Sequence, residues 1–245
     1  NDSLRQTFPM LVDDGLIPPS LPFGDEAFGK PCEACNLWVG DARAVSTVHR
    51  DSFENLYVCL VGEKVFDLLS PLAAPFMGED EYPTATFRVV PVVAGEDGSA
   101  NVAEKDYEME REDGADTTPW IRLDPAAPDA AVRMHPPFAR VAHRVMRVRL
   151  APHECLYLPT GWYHRVTQSR ATIAVNYWYD REFNAPWVLQ RAVEAFVGLA
   201  LRVSPAMAAS DAASLRGRGG GGGGGDGHGG DDDDVDYDVD ADQDE

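Results

Sequence analysis

The sequence has little cysteine, little basic charge and no long apolar run, and each shortage excludes a class of protein. Four cysteines in 245 residues are too few for a disulfide-stapled secreted scaffold, so we expect a reducing compartment. No apolar run reaches the roughly 18 residues of a transmembrane helix, and we expect no membrane partner. Lys and Arg number only 21, with no visible cluster or stripe, which argues against direct binding of nucleic acid.

The acidic charge is concentrated at the C-terminus. The chain carries 41 Asp and Glu against 21 Lys and Arg, a formal net charge of -20. Residues 219–245 hold 11 of these acids and no Lys or Arg, which leaves 30 acidic against 21 basic residues elsewhere. A glycine tract and an aspartate run make this end low in complexity. We therefore predict that residues 204–245 form a Gly-rich, acidic and disordered tail.

Short apolar runs broken by Gly and Pro predict a β-rich catalytic domain over residues 36–203. Six runs rich in β-branched and aromatic residues are typical of strands: 56–61, 64–69, 86–93, 145–150, 155–158 and 172–179. Gly62 and Glu63 predict a tight hairpin between the first two runs. Apolar residues at helical spacing predict one amphipathic helix over 187–203. Many short strands and few helices favour an all-β fold of the jelly-roll type with flanking helices.

Two segments of the chain lack these patterns. Residues 1–35 are rich in turn-forming residues, and the chain opens with Asn1 rather than Met. We expect an irregular lead-in, the remnant of a larger N-terminal region. Residues 95–118 are polar and acidic, which predicts a long surface loop.

A histidine and an aspartate predict part of a metal site. His49 and Asp51 are two residues apart, so on a strand both side chains point to the same face. One imidazole and one carboxylate are two thirds of the facial triad that binds non-haem iron(II) and leaves positions open for a co-substrate and oxygen. The His-x-Asp pattern is a weak signal by itself, because it arises by chance in many chains. His164, which follows a Pro/Gly turn, is the candidate third ligand.

Two polar residues in otherwise apolar strands indicate a polar ligand. Lys64 begins the run 64–69, where an unpaired buried ammonium would be costly, so we expect an anion such as a dicarboxylate. Asn176 lies within the run 172–179, and a buried amide needs hydrogen-bond partners. Cys32 and Cys35 have a zinc-like spacing, but no second pair of ligands exists, so loop cysteines are the preferred interpretation.

Residues 36–180 resemble the JmjC domains, the cupin-fold oxygenases that use iron(II) and 2-oxoglutarate. The resemblance depends on four stretches: VHRDSFENLY at 48–57, VGEK at 61–64, LYLPTGWYH at 156–164 and AVNYWYD at 174–180. The phrases ENLY at 54–57, WIRLDP at 120–125 and NYWYD at 176–180 are similar to the subfamily of bifunctional peptidases and (3S)-lysyl hydroxylases. The multidomain histone demethylases are less similar. The implied fold is a double-stranded β-helix.

The resemblance also implies the roles of individual residues. His49, Asp51 and His164 would bind iron(II) and form the catalytic centre, with molecular oxygen as co-substrate. Lys64 would bind the distal carboxylate of 2-oxoglutarate, and the remaining lining residues would be Ser46, Asn55, Tyr57, Asn176 and Trp178. Two positions depart from the family pattern. Ser46 replaces the commoner Thr but keeps the hydroxyl, and His153 stands where a Gly normally makes the turn.

The implied activity is hydroxylation of a protein side chain, with lysine C3 of a developmentally regulated GTP-binding protein as the leading substrate. Demethylation of N-methyl-lysine, or peptidase activity on histone tails, stays open as a second enzymatic interpretation. A non-catalytic cupin used as a binding module is the third. The triad together with Lys64 argues against this module, because degenerate members usually lose a ligand. A homodimer and a cytoplasmic location with access to the nucleus are further expectations.

Overall fold

The structure, a computed structural model, describes residues 2–90, 106–111 and 117–203. The strands in this part of the chain are β1 (Ala34–Gly40), β2 (Ser46–Arg50), β3 (Phe53–Val61), β4 (Lys64–Leu69), β5 (Glu79–Pro83), β6 (Ala85–Val90), β7 (Asp106–Arg111), β8 (Thr117–Ile121), β9 (Met146–Leu150), β10 (Cys155–Leu158), β11 (Tyr163–Gln168) and β12 (Thr172–Asp180). The α-helices are α1 (Ser3–Thr7), α2 (Pro9–Asp13), α3 (Pro22–Phe28), α4 (Pro128–Met134) and α5 (Ala185–Val203). Three short 3-10 segments cover Pro71–Phe76, Pro136–Arg140 and Ala142–Arg144.

Eight of the strands form two antiparallel sheets that face each other. The first sheet has the order β1-β12-β3-β10, and the second has the order β2-β11-β4-β9. Four buried residues from each sheet pack together between them: Tyr57, Cys59, Leu158 and Ala174 from the first, and Phe66, Leu68, Leu150 and Val166 from the second. This arrangement is a double-stranded β-helix, so the predicted all-β jelly-roll fold is confirmed. The other four strands form two two-stranded ribbons, β5-β8 and β6-β7.

The link between β3 and β4 differs from the predicted hairpin. β3 pairs with β10 and β12, whereas β4 pairs with β9 and β11, so Gly62 and Glu63 carry the chain from one sheet to the other. Gly62 has φ +90°, and a Cβ atom there would lie 2.4 Å from the carbonyl oxygen of Ala171. The prediction was wrong because a two-residue turn signal specifies a sharp reversal but does not specify which strands pair.

Both sheets are also covered on their outer faces. On the second sheet, α4 and the 3-10 segments pack a cluster that includes Val48, Tyr163 and Phe138, which are almost completely buried. On the first sheet, residues 1–35 provide Leu4 and Ile17, which pack with the strand residues of β3 and β12. The central strands are therefore buried on both faces.

The N-terminal residues are more regular than the sequence predicted. Residues 1–35 were expected to be irregular, but they contain α1, α2 and α3, and two of these helices begin at a proline. Proline disrupts helix interiors but suits the first helical position, so its abundance did not exclude helices. Two tyrosines of β12 hold this segment, because Tyr177 Oη donates to the Pro18 carbonyl at 3.0 Å and Tyr179 Oη donates to Asp25 at 3.0 Å.

Most predicted strands and the long helix are present, with boundaries shifted by a few residues. Within the segment 95–118, predicted to be a loop, the structure instead contains β7 and the first residues of β8. The predicted strand 86–93 corresponds to β6, but its last three residues lie outside the described residues, as does the predicted tail 204–245. None of the described helices is long and apolar enough to cross a membrane. The proposed domain limits stay a prediction.

Candidate metal centre and substrate cleft

The structure brings His49, Asp51 and His164 together. One potential ligand atom from each residue lies within 4.8 Å of the other two, and no other such group of three occurs in the described parts of the chain. His49 Nε2 lies 3.9 Å from Asp51 Oδ1, and His164 Nε2 lies 3.5 Å from Asp51 Oδ2. Bonds from a metal to His and Asp ligands are about 2.0–2.2 Å in zinc sites, so one ion could bridge these gaps.

Backbone carbonyls orient both imidazole rings. His49 Nδ1 lies 2.7 Å from the carbonyl oxygen of Thr47, and His164 Nδ1 lies 3.0 Å from that of Trp162. A carbonyl can only accept a hydrogen bond, so in each neutral ring the proton belongs on Nδ1. The Nε2 lone pair of each ring is then free for a metal, and the contact that fixes the tautomer is of the kind that supports metal-ligating histidines.

The electrostatics favour the same protonation state. The pKa of His49 lies below its ordinary value because burial disfavours the imidazolium and because the neighbouring His164 would repel its charge. Burial by itself would raise the pKa of Asp51, but the nearby rings of His164 and His49 outweigh burial and lower it. A neutral imidazole and an ionised carboxylate are the forms that bind a metal.

A β-bulge next to His49 sets the composition of the inner wall. His164 is opposite His49, and Val166 is opposite Ser46. The two residues of β2 at positions 47 and 48 therefore lie opposite the single residue of β11 at position 165. In a regular strand, Ser46 and His49 would point to opposite faces, because they are three positions apart. The extra residue of the bulge reverses the alternation, and both side chains line the same cavity of about 100 Å³.

The first sheet supplies the opposite wall of this cavity with four residues from two paired strands. Asn55 is opposite Trp178, and Tyr57 is opposite Asn176, and all four line the cavity. Asn55 Oδ1 and the Trp178 indole Nε1 are buried and have no hydrogen-bond partner. Buried polar atoms are nearly always satisfied, so these two atoms indicate a polar ligand in the cavity.

Lys64 lies on the same inner face as the triad but outside the set of residues that line this cavity. The residue is 6% exposed, and Nζ donates a hydrogen bond to Gln168 Oε1. Gln168 in turn donates to the Asp41 carbonyl at 2.6 Å. Burial lowers the pKa of Lys64, and among the described residues no carboxylate neutralises it. Its predicted role in binding 2-oxoglutarate stays a prediction, as do the predicted roles of the other site residues.

A larger cleft of about 770 Å³ reaches the triad from the outside. His49 and Asp51 line it, together with residues of β5 and β8 and with the segment after β12 and the first turns of α5. Arg50 lies between the two ligands in sequence, and it forms ion pairs with Glu79 of β5 at 2.7 Å and Glu194 of α5 at 3.1 Å. Arg50 therefore joins the two sides of the cleft to the strand that carries His49.

The sequence analysis did not identify two aromatic residues of the site. Trp38 of β1 lines the inner cavity and donates from Nε1 to Asn176 Oδ1 at 3.0 Å. The apolar run around Trp38 is a strand signal that could have identified it. Trp120 of β8 stacks on His49, with ring centres 5.5 Å apart and planes 6° apart. No local signal indicates this contact, because it depends on the position of the β5-β8 ribbon.

The turn before β10 shows which backbone conformation His153 adopts at the position where the family normally has Gly. His153 has φ +71°, in the left-handed region where Gly is favoured. Its backbone N–H donates to the Cys59 carbonyl at 2.8 Å. The turn therefore keeps a conformation suited to glycine, and the non-glycine residue adopts it at a steric cost.

Two facing sheets with two histidines and an aspartate on the inner wall are the arrangement expected of a cupin with a metal centre. Comparison with known families gives the same class. A family model described as the cupin-like domain matches residues 1–185, and the chain belongs to this family. The match also covers the N-terminal helices, which the sequence resemblance had left out.

Three curated relatives specify the resemblance further. The chain is 36% identical over 182 residues to the human bifunctional peptidase and (3S)-lysyl hydroxylase JMJD7, covering 74% of this chain and 52% of the relative. It is 33% identical to JmjC domain-containing protein E of Dictyostelium discoideum, covering 77% and 54%, respectively. It is 31% identical to the lysine-specific demethylase JMJ32 of Arabidopsis thaliana, covering 75% and 52%. The resemblance to JmjC proteins is thereby confirmed. The chain spans about half the length of these relatives.

Proposed function

We propose that this chain is an iron(II)- and 2-oxoglutarate-dependent oxygenase that hydroxylates a protein side chain, and that this side chain is lysine. The observation that carries the proposal is the convergence of His49, Asp51 and His164 on a cavity whose opposite wall has unsatisfied polar atoms. The relatives named as a lysyl hydroxylase and a lysine-specific demethylase support a lysine-directed activity.

The residues present fit the metal and the co-substrate. Two imidazoles with free Nε2 atoms and one carboxylate form the donor set of the 2-His-1-carboxylate iron centres. Asn55 Oδ1 accepts hydrogen bonds, and Trp178 Nε1 donates them, so the cavity offers partners to both a bound water and a carboxylate. Bound iron(II), with 2-oxoglutarate and oxygen, would supply the oxidation that hydroxylates an unactivated carbon and releases succinate and carbon dioxide.

The protein's own contribution is orientation of the metal ligands and of the co-substrate. The backbone carbonyls of Thr47 and Trp162 keep the two rings in the metal-binding tautomer. Ser46, Tyr57 and Asn176 would orient the co-substrate within the small cavity, and Lys64 would neutralise its distal carboxylate.

The outer cleft has chemistry suited to a lysine-containing segment. Asp80 and Glu81 of β5 are exposed and line the cleft, and neither forms an ion pair within the described residues. Their charge would attract a basic segment. Trp120, stacked on His49, offers an apolar surface for the methylene groups of a lysine at the entrance to the metal centre. We include a developmentally regulated GTP-binding protein as the first substrate to test.

Mass spectrometry of lysine peptides from such a protein tests the proposal. The peptides are incubated with the chain, iron(II), ascorbate and 2-oxoglutarate, and succinate is measured in parallel. We expect a gain of one oxygen on lysine, lost in His49→Ala and retained in His143→Ala. His143 is an exposed histidine outside the cleft, so its replacement matches the change in side chain without touching the site.

Other products would identify the alternatives. Loss of a methylene group from a methylated lysine would indicate a demethylase, and a shortened peptide would indicate a peptidase. Succinate formed by the wild type but not by His49→Ala, without a modified peptide, would support the oxygenase and reject this substrate. Absence of both products would favour the non-catalytic binding module. Homodimerisation and a cytoplasmic location with access to the nucleus stay predictions.

A further inference from the structure

One of the three arginines that line the outer cleft has no acidic partner. Arg50 pairs with Glu79 and Glu194, and Arg191 pairs with Glu194 at 2.6 Å. Arg181, which follows β12 directly, has no carboxylate within ion-pair distance in the described part of the chain. An arginine stays protonated in proteins, so Arg181 places a positive charge without an ion-pair partner on this side of the cleft.

The surroundings of Arg181 hold the guanidinium in place without neutralising it. Its Nη1 donates to Thr160 Oγ1 at 3.3 Å, and its guanidinium carbon lies 4.9 Å and 5.0 Å from the ring centres of Phe183 and Trp187. Burial, together with repulsion from Arg191 and Arg50, lowers the pKa of Arg181, and attraction by the carboxylates of Glu194 and Glu54 offsets only part of this. Arg181 Nε and the Trp187 indole Nε1 are both buried without an acceptor. Two unsatisfied donors are therefore found beside a charge that forms no ion pair within the described residues.

The position of Arg181 links two cavities. Arg181, Trp187 and Gln190 line both the large cleft and a neighbouring cavity of about 360 Å³. An extended peptide that placed one residue at the triad and continued into the second cavity would pass Arg181. Asp80 and Glu81 line the cleft from the other side, and the neighbouring cavity adds Glu54, Asp180 and Glu182, so an acidic partner would reach Arg181 from the large cleft.

We propose that Arg181 binds an acidic side chain of the substrate that flanks the residue delivered to the metal centre. The inference rests on the proposed function to the extent that it assumes a protein substrate. A carboxylate provides two acceptor oxygens in the plane of a guanidinium, and this pairing is stronger than a neutral hydrogen bond. The preferred substrate segment would then carry a basic residue facing β5 and an acidic residue facing Arg181, and Arg181 would determine specificity without contacting the reacting atoms.

Binding of matched peptides tests this role. Lysine peptides with a single Glu, placed either before or after the lysine, are compared with the same peptides carrying Gln, using fluorescence anisotropy and the Mn(II)-loaded full chain without oxygen. We expect the wild type to bind one of the two Glu peptides about tenfold or more tightly than its Gln counterpart, from the strength of hydrogen bonds between charged groups. Arg181→Gln should remove this preference, and Arg181→Lys should restore part of it.

Arg170→Gln is the matched control. Arg170 is exposed beside the opposite end of β12, about 30 Å away along the nine-residue strand, so its replacement removes the same charge far from the cleft. The preference for Glu peptides should survive in this variant. Equal binding of Glu and Gln peptides by the wild type, no binding of either, or a preference that persists in Arg181→Gln would each overturn the proposal.

Two further measurements separate this inference from the proposed function. If Arg181→Gln weakens 2-oxoglutarate binding and leaves peptide preference intact, the carboxylate partner is the co-substrate and the proposal is wrong. Hydroxylation of Glu and Gln peptides with equal efficiency would support the oxygenase and reject the role of Arg181. An Arg181-dependent preference in binding, with no hydroxylation of any lysine peptide, would support the role of Arg181 and reject the lysyl hydroxylase.

Discussion

A divalent metal ion should raise the melting temperature of this chain, and replacement of one ligand should remove the effect. His49, Asp51 and His164 are brought together only when β2 pairs with β11, so the unfolded chain lacks the site. Both histidine rings already have their Nε2 atoms free, and binding therefore needs no change of tautomer. A ligand that binds the folded state alone stabilises it by mass action.

The expected magnitude follows from this linkage. At a metal concentration of one hundred times Kd, the free energy of unfolding rises by about 2.7 kcal/mol. For a chain of 245 residues, 1 kcal/mol corresponds to roughly 2–4 °C, so the melting temperature should rise by about 5–11 °C. Differential scanning fluorimetry under anaerobic conditions with iron(II), or in air with Mn(II), measures this shift.

The comparison between variants makes the measurement decisive. The shift is taken relative to each variant without metal, because His164 is nearly buried and its replacement with Ala also removes packing. His49→Ala and His164→Ala should each lose most of the shift, and His135→Ala, which changes a histidine outside the triad, should retain it. An equal shift in the wild type and His49→Ala would refute the assignment of the metal ligands.

Two further predictions concern the backbone at turns, and urea unfolding measures both. His153→Gly should stabilise the protein by about 1 kcal/mol, because it relieves the left-handed strain of a side chain at φ +71°, and an unchanged or lower stability would contradict this reasoning. Gly15→Ala should lower the free energy of unfolding by roughly 1–2 kcal/mol, from the strain of a side chain at positive φ. Gly62→Ala should lower it several times more, because a Cβ atom there also clashes with Ala171. Equal losses in the two variants would show that the clash relaxes at little cost.

Local sequence patterns predicted which segments are strands, but they did not predict how those strands pair. The apolar runs that became β3, β4, β10 and β12 were recognisable because each is rich in β-branched and aromatic residues and turn residues separate the runs. The passage through Gly62 was not recognisable, since a hairpin and a crossing between sheets need the same short, glycine-containing link. Pairing depends on contacts between residues distant in sequence, which no local window contains.

In the candidate site, too, local sequence patterns predicted some features, and others depend on how the strands pair. The spacing of His49 and Asp51 predicted that their side chains lie on one side, and the structure brings them within 3.9 Å although Asp51 lies just beyond the end of β2. The third histidine was predicted from its turn. Ser46 was assigned to the site only through the family resemblance, because regular strand alternation would place its side chain on the opposite face from His49. The bulge opposite Arg165 resolves this conflict, and it depends on the register between β2 and β11. Trp120 could not be predicted, because its contact with His49 is made across separate sheets.

The register between β2 and β11 has an evolutionary consequence. His49 and His164 are direct partners in the register of β2 and β11, a bulge lies beside this pair, and Asp51 is the first residue after β2 ends. An insertion or deletion inside β2 or β11 would move one ligand relative to the others, and no side-chain substitution could compensate for it. Changes in chain length among descendants of this sequence should therefore accumulate between β4 and β9, where the β5-β8 ribbon that lines one side of the cleft lies. Substrate range could diverge there while the metal centre is inherited unchanged.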